Sequence, residues 1–350
     1  MKERAKAIWR RNLKRWMIGA GLEASAIANS AGLLKSARGS GVIFTMHHVR
    51  PESRSVIGPN RHLEVTPEFL DAAILRLKSL GYDLIALSDV PARLKTPSAK
   101  PFAAFTLDDG YRNNADHALP IFARHGVPFT VFIAQGLAEH RQPLWWESMG
   151  RLLREQERVS FDFGRGLETM DVRTPVQQLD TFFRFASYVW AHEEAQAVEN
   201  LCRLASRYGI DPLAITRELI MGPQELKAFA AHPLVSLGAH TVTHRKLSRL
   251  TTEESADEMR KSADWLTDLT GTRPTAIAYP YGSRDAIGPR EFQTARDLGF
   301  VIGLTTQPGM LTGADLARPT ALPRVSLNGY YQKARYVNAL ASGIPFALKR

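Results

Sequence analysis

Phe102-Ala103-Ala104-Phe105-Thr106-Leu107-Asp108-Asp109-Gly110 is an apolar run that stops in two carboxylates and a glycine. A short apolar stretch bounded by such punctuation reads as a buried strand. Side chains alternate along a strand, so adjacent carboxylates at its end point in different directions. One is then free to bind a metal ion while the other faces a water beside it. Taken alone, Asp-Asp-Gly reads better as a helix N-cap or a solvated turn. In parallel α/β folds, however, the carboxyl ends of strands are where reactive side chains collect.

Working outward, similar runs lie at residues 42–46, ending in His47-His48, and at 83–87, 129–134, 235–239, 276–279, 300–304 and 321–325. Helical patterns separate them. Thr66-Pro67 starts one helix, with Leu70, Ile74 and Leu77 as its buried stripe and Gly81 as its end. Strands alternating with helices argue for parallel βα units, and about eight strands suffice for a barrel. The alternation lapses at about residues 140–226, which are mainly helical in pattern and read as an insertion on the strand-end face. The expected architecture is α/β: a distorted (β/α) barrel over residues 39–330 with that helical insertion. A basic helical region at 1–38 precedes it, and a C-terminal helix and tail at 331–350 follow.

Two other strand ends carry chemistry. In His240-Thr241-Val242-Thr243-His244 the histidines are four apart, a spacing that puts both on one helical face and lets them grip one ion. Tyr279-Pro280-Tyr281-Gly282 is a turn whose backbone N–H is placed to meet a developing oxyanion, although a purely structural turn is the default reading. One aspartate and two histidines make a three-ligand site with an open fourth position, the pattern of catalytic zinc.

The order of these three motifs resembles the polysaccharide deacetylase family, the NodB-homology domain of carbohydrate esterase family 4, over about residues 40–330. The family's T-F-D-D-G is T-L-D-D-G here, and its H-[ST]-x-x-H is matched in full. Its R-x-P-Y-G is matched only as Ala278-Tyr279-Pro280-Tyr281-Gly282. Residues 42–49 resemble its L-x-Y-H-x-V segment, with His47 at the histidine place. The resemblance implies that Asp109, His240 and His244 bind a divalent ion, with Zn2+ the expected metal, and that Asp108 is the general base. It also implies that Tyr281 offers its N–H to the oxyanion. Ala278 removes the arginine that normally orients the base, and Arg324 is placed to supply that charge from the last strand. Arg324 also holds the place of the family's late histidine, which leaves His47 as the acid for the departing amine. Tyr111, Trp145, Trp146 and Pro280 are candidate sugar contacts, although the tryptophans equally suit packing of the insertion on the barrel. The implied activity is N-deacetylation of N-acetylglucosamine-type units in an oligo- or polysaccharide. The alternatives are hydrolysis of another non-peptide C–N bond at the same site, or a non-catalytic glycan binder.

The chain has 350 residues and a net charge of +10. Residues 1–15 carry Lys2, Arg4, Lys6, Arg10, Arg11, Lys14 and Arg15 against Glu3, which leaves +6 there. The remainder is only mildly basic, so nucleic acid is not needed as a partner, and no nucleic-acid-binding motif is present. The lone Cys202 reads as a small core residue. The apolar run at residues 16–22 is too short for a secretory signal or a membrane span, so a cytoplasmic location is expected. Trp9, Leu13, Trp16, Met17 and Ala20 share one helical face among basic residues. That pattern suits a helix lying on an anionic membrane surface, here the inner face, as well as one packed on its own barrel.

Overall fold

Five main-sheet strands, at residues 41–46, 102–108, 129–133, 276–278 and 302–304, are buried along their whole length, as a parallel sheet covered on both faces demands. The computed structural model describes residues 2–52, 58, 60–96 and 100–347, and the side chains of residues 13–34 and 36 onward among them. In chain order, α1 (Lys2–Ser30) leads to β1 (Gly41–Met46), and β2 (His48–Val49) pairs in parallel with β3 (Glu64–Val65). Next come α2 (Pro67–Ser79), β4 (Asp83–Leu84), α3 (Val90–Lys95), β5 (Phe102–Asp108), α4 (Leu119–His125), β6 (Phe129–Ile133) and α5 (Gln135–Ala138). The insertion holds α6 (Trp145–Glu155), β7 (Arg158–Asp162), β8 (Leu167–Asp171), α7 (Pro175–Ala191), α8 (Glu194–Arg207), α9 (Pro212–Leu219) and α10 (Pro223–Ala230). The barrel resumes with β9 (Val235–Ala239), α11 (Thr252–Thr270), β10 (Ala276–Ala278), α12 (Pro289–Asp297), β11 (Ile302–Leu304) and β12 (Val325–Ser326). Two short helices follow, α13 (Ala334–Ala341) and α14 (Ile344–Ala347).

The main sheet runs β11-β10-β9-β6-β5-β1-β12, parallel throughout. One segment joins its two ends. Leu322 forms a parallel bridge with Leu304, and three residues further on Val325 and Ser326 pair with Phe44 and Thr45. β4 stands off this path and pairs only with the start of β5, through Asp83 and Leu84. The result is the expected distorted barrel, with one of the eight strands outside the ring. Strand alternation fills its interior: Ile43, Phe102, Ala104, Phe132, Ala276, Ala278, Ile302, Leu304 and Leu322 form one buried cluster.

Two expectations about elements need correction and a third is sharpened. The insertion is not all helical, because β7 and β8 form an antiparallel hairpin. Val159 and Phe161 alternate inward there, and Gly164 and Gly166 turn the chain at positive φ. The basic helical region expected at 1–38 is one unbroken helix to Ser30, followed by a 3-10 turn at Lys35–Arg38. The strand expected at 83–87 ends at Leu84 and gives way to a 3-10 turn at Leu87–Asp89. Trp9 and the basic residues up to Arg11 have side chains outside the described set, as do residues 348–350 altogether.

Candidate active site

Alternation along β5 decides which carboxylate enters the barrel. Phe102 and Ala104 face the interior, so Asp108 shares their side and crowns that stack. Asp108 is buried and meets Arg324 in a two-pronged pair, Nη1 to Oδ1 and Nη2 to Oδ2, both 2.7 Å. The rest of the guanidinium is also satisfied: Nε donates to the Thr305 carbonyl at 3.0 Å and Nη1 to Thr106 Oγ1 at 3.2 Å. Planar fork geometry of this kind holds both partners in register. Burial alone would raise the Asp108 carboxyl, but the adjacent guanidinium and His240 hold it below the ordinary range. The charge missing at Ala278 is thus delivered by the strand that closes the ring.

Asp109 points elsewhere. Its Oδ1 lies 3.5 Å from His240 Nε2 and 3.3 Å from His244 Nε2, and these three groups can offer ligand atoms within 4.8 Å of one another. Oδ1 is buried and makes no hydrogen bond among the described residues. An orphaned acceptor between two imidazoles fits a cation with mixed nitrogen and oxygen ligands. His240 Nδ1 bonds the Ala278 carbonyl at 2.7 Å, which turns Nε2 toward Asp109. Burial would raise Asp109, yet the two histidines hold it well below the usual carboxylate range. Burial would likewise lower His244, and Asp109 raises it above the ordinary value.

The histidines do not meet on a helix. Residues 240–246 are a loop, and the pair converges because Thr241 and His244 adopt left-handed conformations, at φ 66° and 57°. Asp109 at φ 74° and Tyr281 at φ 61° do the same, so each of the three motifs turns on non-glycine residues in a costly region. The surrounding structure enforces these turns. Glu258 of α11 accepts the Val242 and Thr243 amides at 2.8 Å each and the Thr243 hydroxyl at 2.6 Å. At the third motif, a Cβ on Gly282 would come within 2.5 Å of the Thr306 amide nitrogen.

Glu194, which no sequence pattern singled out, links the insertion to this centre. It is buried at the start of α8, accepting the Tyr281 hydroxyl at 2.7 Å and the Lys246 amide at 2.9 Å. Lys246 Nζ in turn sits 3.7 Å from the centre of the Trp190 ring. Glu258 was legible in principle, since it is a carboxylate on the buried stripe of an amphipathic helix.

His47 is partly buried at the end of β1. Burial pushes it below the ordinary histidine range against the pull of Asp109 and Asp108. His48 points away, fully buried, with its ring centre 3.6 Å from that of Tyr111 and Nδ1 2.8 Å from Asn113 Nδ2.

A cavity of about 450 Å3 opens beside His244 and Tyr281, walled by Trp145, Trp146, Glu194 and Val198 of the insertion. Two of the expected sugar contacts do not reach it. Tyr111 is fully buried, its hydroxyl accepting from Trp146 Nε1 at 2.9 Å, so it supports the wall from behind. Pro280 is buried in its turn, where its carbonyl accepts the Gly282 amide. Cys202 borders the same cavity half-buried, and burial pushes its thiol up to about 11, an inert form near neutrality.

The parallel barrel thus carries a carboxylate-and-histidine centre at its strand ends, where folds of this architecture place their chemistry. The family model described as polysaccharide deacetylase matches residues 95–161 and 179–302, and the chain belongs to that family. Those ranges contain Asp108, Asp109, His240, His244 and Tyr281, while His47 and Arg324 fall outside them. Among curated proteins, YxkH of Bacillus subtilis (strain 168) is 29% identical over 86 residues, spanning 25% of this chain and 29% of that protein. Solved structures share the fold. The Streptococcus pyogenes deacetylase PplD, in complex with acetate, aligns with TM-score 0.53 and 18% identity over 82% of this chain and 92% of its own. IcaB from Ammonifex degensii aligns with TM-score 0.51 and 17% identity over 85% and 97%.

Proposed function

We propose that the chain removes acetyl groups from N-acetylglucosamine-type units of an oligo- or polysaccharide, releasing acetate. The observation that carries this reading is the division of labour between adjacent carboxylates. Asp109 converges with two histidines while Asp108, kept ionised by Arg324, stays free of them. Asp109, His240 and His244 would hold a divalent ion, and the mixed donor set favours zinc. Such an ion supplies a Lewis acid that acidifies water and polarises the acyl carbonyl. Asp108 takes the proton from the attacking water, with Arg324 fixing the carboxylate's orientation. The Tyr281 amide, carried on its left-handed turn, faces the developing oxyanion. His47 delivers a proton to the departing nitrogen, drawing on the imidazolium fraction that its depressed pKa leaves. Trp145 and Trp146 wall the groove in which the sugar lies.

Acetate release from N-acetylglucosamine oligomers, measured beside metal content, tests the reading. His240→Ala combined with His244→Ala should abolish both. Asp108→Asn should keep the metal and lose roughly 10²–10⁴-fold in kcat, the usual worth of a general base. His47→Ala should keep the metal and slow amide cleavage far more than cleavage of an activated ester, whose leaving group needs no proton. Unchanged metal occupancy in the double histidine variant would remove the site assignment, and an unchanged amide-to-ester ratio would return His47 to a structural role.

A further inference from the structure

Helix α1 packs chiefly along α13 and also meets α14 and α7. Leu22 and Ala26 are buried with Tyr336 and Ala339 of α13, and Ser25 is buried beside them. Glu23 accepts from Arg335 at 2.7 Å through both oxygens and from the Tyr336 hydroxyl at 2.7 Å, and Arg15 donates to the Tyr330 hydroxyl at 2.8 Å. The docked face is therefore fixed, and so is the face turned away from it.

That outer face is apolar. Leu13, Trp16, Met17, Ala20, Ala24 and Ile27 fall at helical spacing on one line, and all are exposed. Trp16 and Ile27 are each 71% exposed, and the row continues past the helix end into Leu33 and Leu34, both more than half exposed. Scattered exposed apolar side chains are ordinary, whereas a continuous row rimmed by charge marks a contact surface. Among the described residues no helix is long and apolar enough to cross a membrane, so this row lies on a surface rather than spanning one.

Charge selects the occupant. The first fifteen residues carry seven basic side chains and one acid. A second copy carries the same basic segment and so offers the row no complementary charge. An anionic bilayer offers that charge, while the headgroup boundary is where a tryptophan is best accommodated. We propose that α1 lies in the plane of an anionic bilayer surface, apolar row inward, and holds the barrel against it.

The test uses the full chain and vesicles of phosphatidylcholine, with or without phosphatidylglycerol, read by co-sedimentation. The protein should pellet with the mixed vesicles, weakly with phosphatidylcholine alone, and less as salt rises. Trp16→Glu combined with Met17→Glu should weaken binding about tenfold or more, because charges replace the inserted apolar contacts. Both positions are exposed, so the thermal midpoint and acetate release from a soluble oligomer should stay unchanged. Equal vesicle binding by both forms overturns the proposal. So does a wild-type dimer, seen by ultracentrifugation, that the variant converts to monomer, since the row would then belong to a second copy. Vesicle binding is read without substrate, so its outcome is separate from that of the deacetylase reading.

Discussion

Replacing Arg324 by leucine would leave Asp108 buried without its counter-charge. Breaking a buried pair from one side typically costs about 3–5 kcal/mol, because the abandoned ion stays desolvated. Arg324→Leu should therefore lose stability on that scale in denaturant unfolding, and Asp108→Asn combined with Arg324→Leu should recover much of it. Equal losses in the single and double variants would mean that the pairing is not the cause. Asp108 is held below its ordinary value, so its contribution is complete above the unfolded-state pKa and is lost as pH falls through the lower folded one. At this scale the sequence was informative. Asp108, Asp109, His240, His244 and Arg324 all converge: the first four lie at or beyond the carboxyl ends of β5 and β9, which the parallel register brings together, and Arg324 reaches in from just before β12. Tyr111 misled, since an aromatic beside a motif carries no sign of whether it faces the groove or supports it.

The insertion is more than a lid, because α8 contributes an acceptor to two of the motif loops. Glu194→Ala would leave the Tyr281 hydroxyl and the Lys246 amide without their partner, a loss on the order of 1–3 kcal/mol for each group kept from water. It should lower kcat while leaving metal content intact, and Glu194→Gln, which keeps one acceptor oxygen, should restore most of that rate. An Ala variant with full kcat, or a Gln variant as slow as Ala, would reduce Glu194 to a packing contact. Elements were less legible than residues. Two histidines four apart fit a helix and a left-handed loop equally well, and the difference lies in Glu258, which draws the loop's amides toward α11. The β7–β8 hairpin was hidden for a similar reason: two inward residues on β7 and one on β8 give too short an alternation to stand out between long helical stripes.

Across the whole molecule, the two ends of the described chain are fastened to each other through Glu23, which Arg335, Tyr336 and Lys333 hold down to a pKa of about 2 from 4.5. A depressed carboxyl stabilises above its unfolded value and stops doing so as pH falls toward the folded one. Wild type should therefore melt above Glu23→Gln at pH 6, with the gap closing between about pH 4.5 and 2. A gap independent of pH would show that the ends are joined by packing alone. The barrel was readable from its apolar runs, but how it shuts was not, since Leu322 to Ser326 is a short stretch whose two sides bond different strands. That closing stretch has a consequence for synthesis. The ribosome emits Asp109, His240 and His244 long before Arg324, so on the proposed reading a nascent chain would hold its three metal ligands while Asp108 still lacks its counter-ion. On that reading, a chain ending before Leu322 would keep the proposed metal ligands yet lack both the ring closure and the guanidinium that orients Asp108.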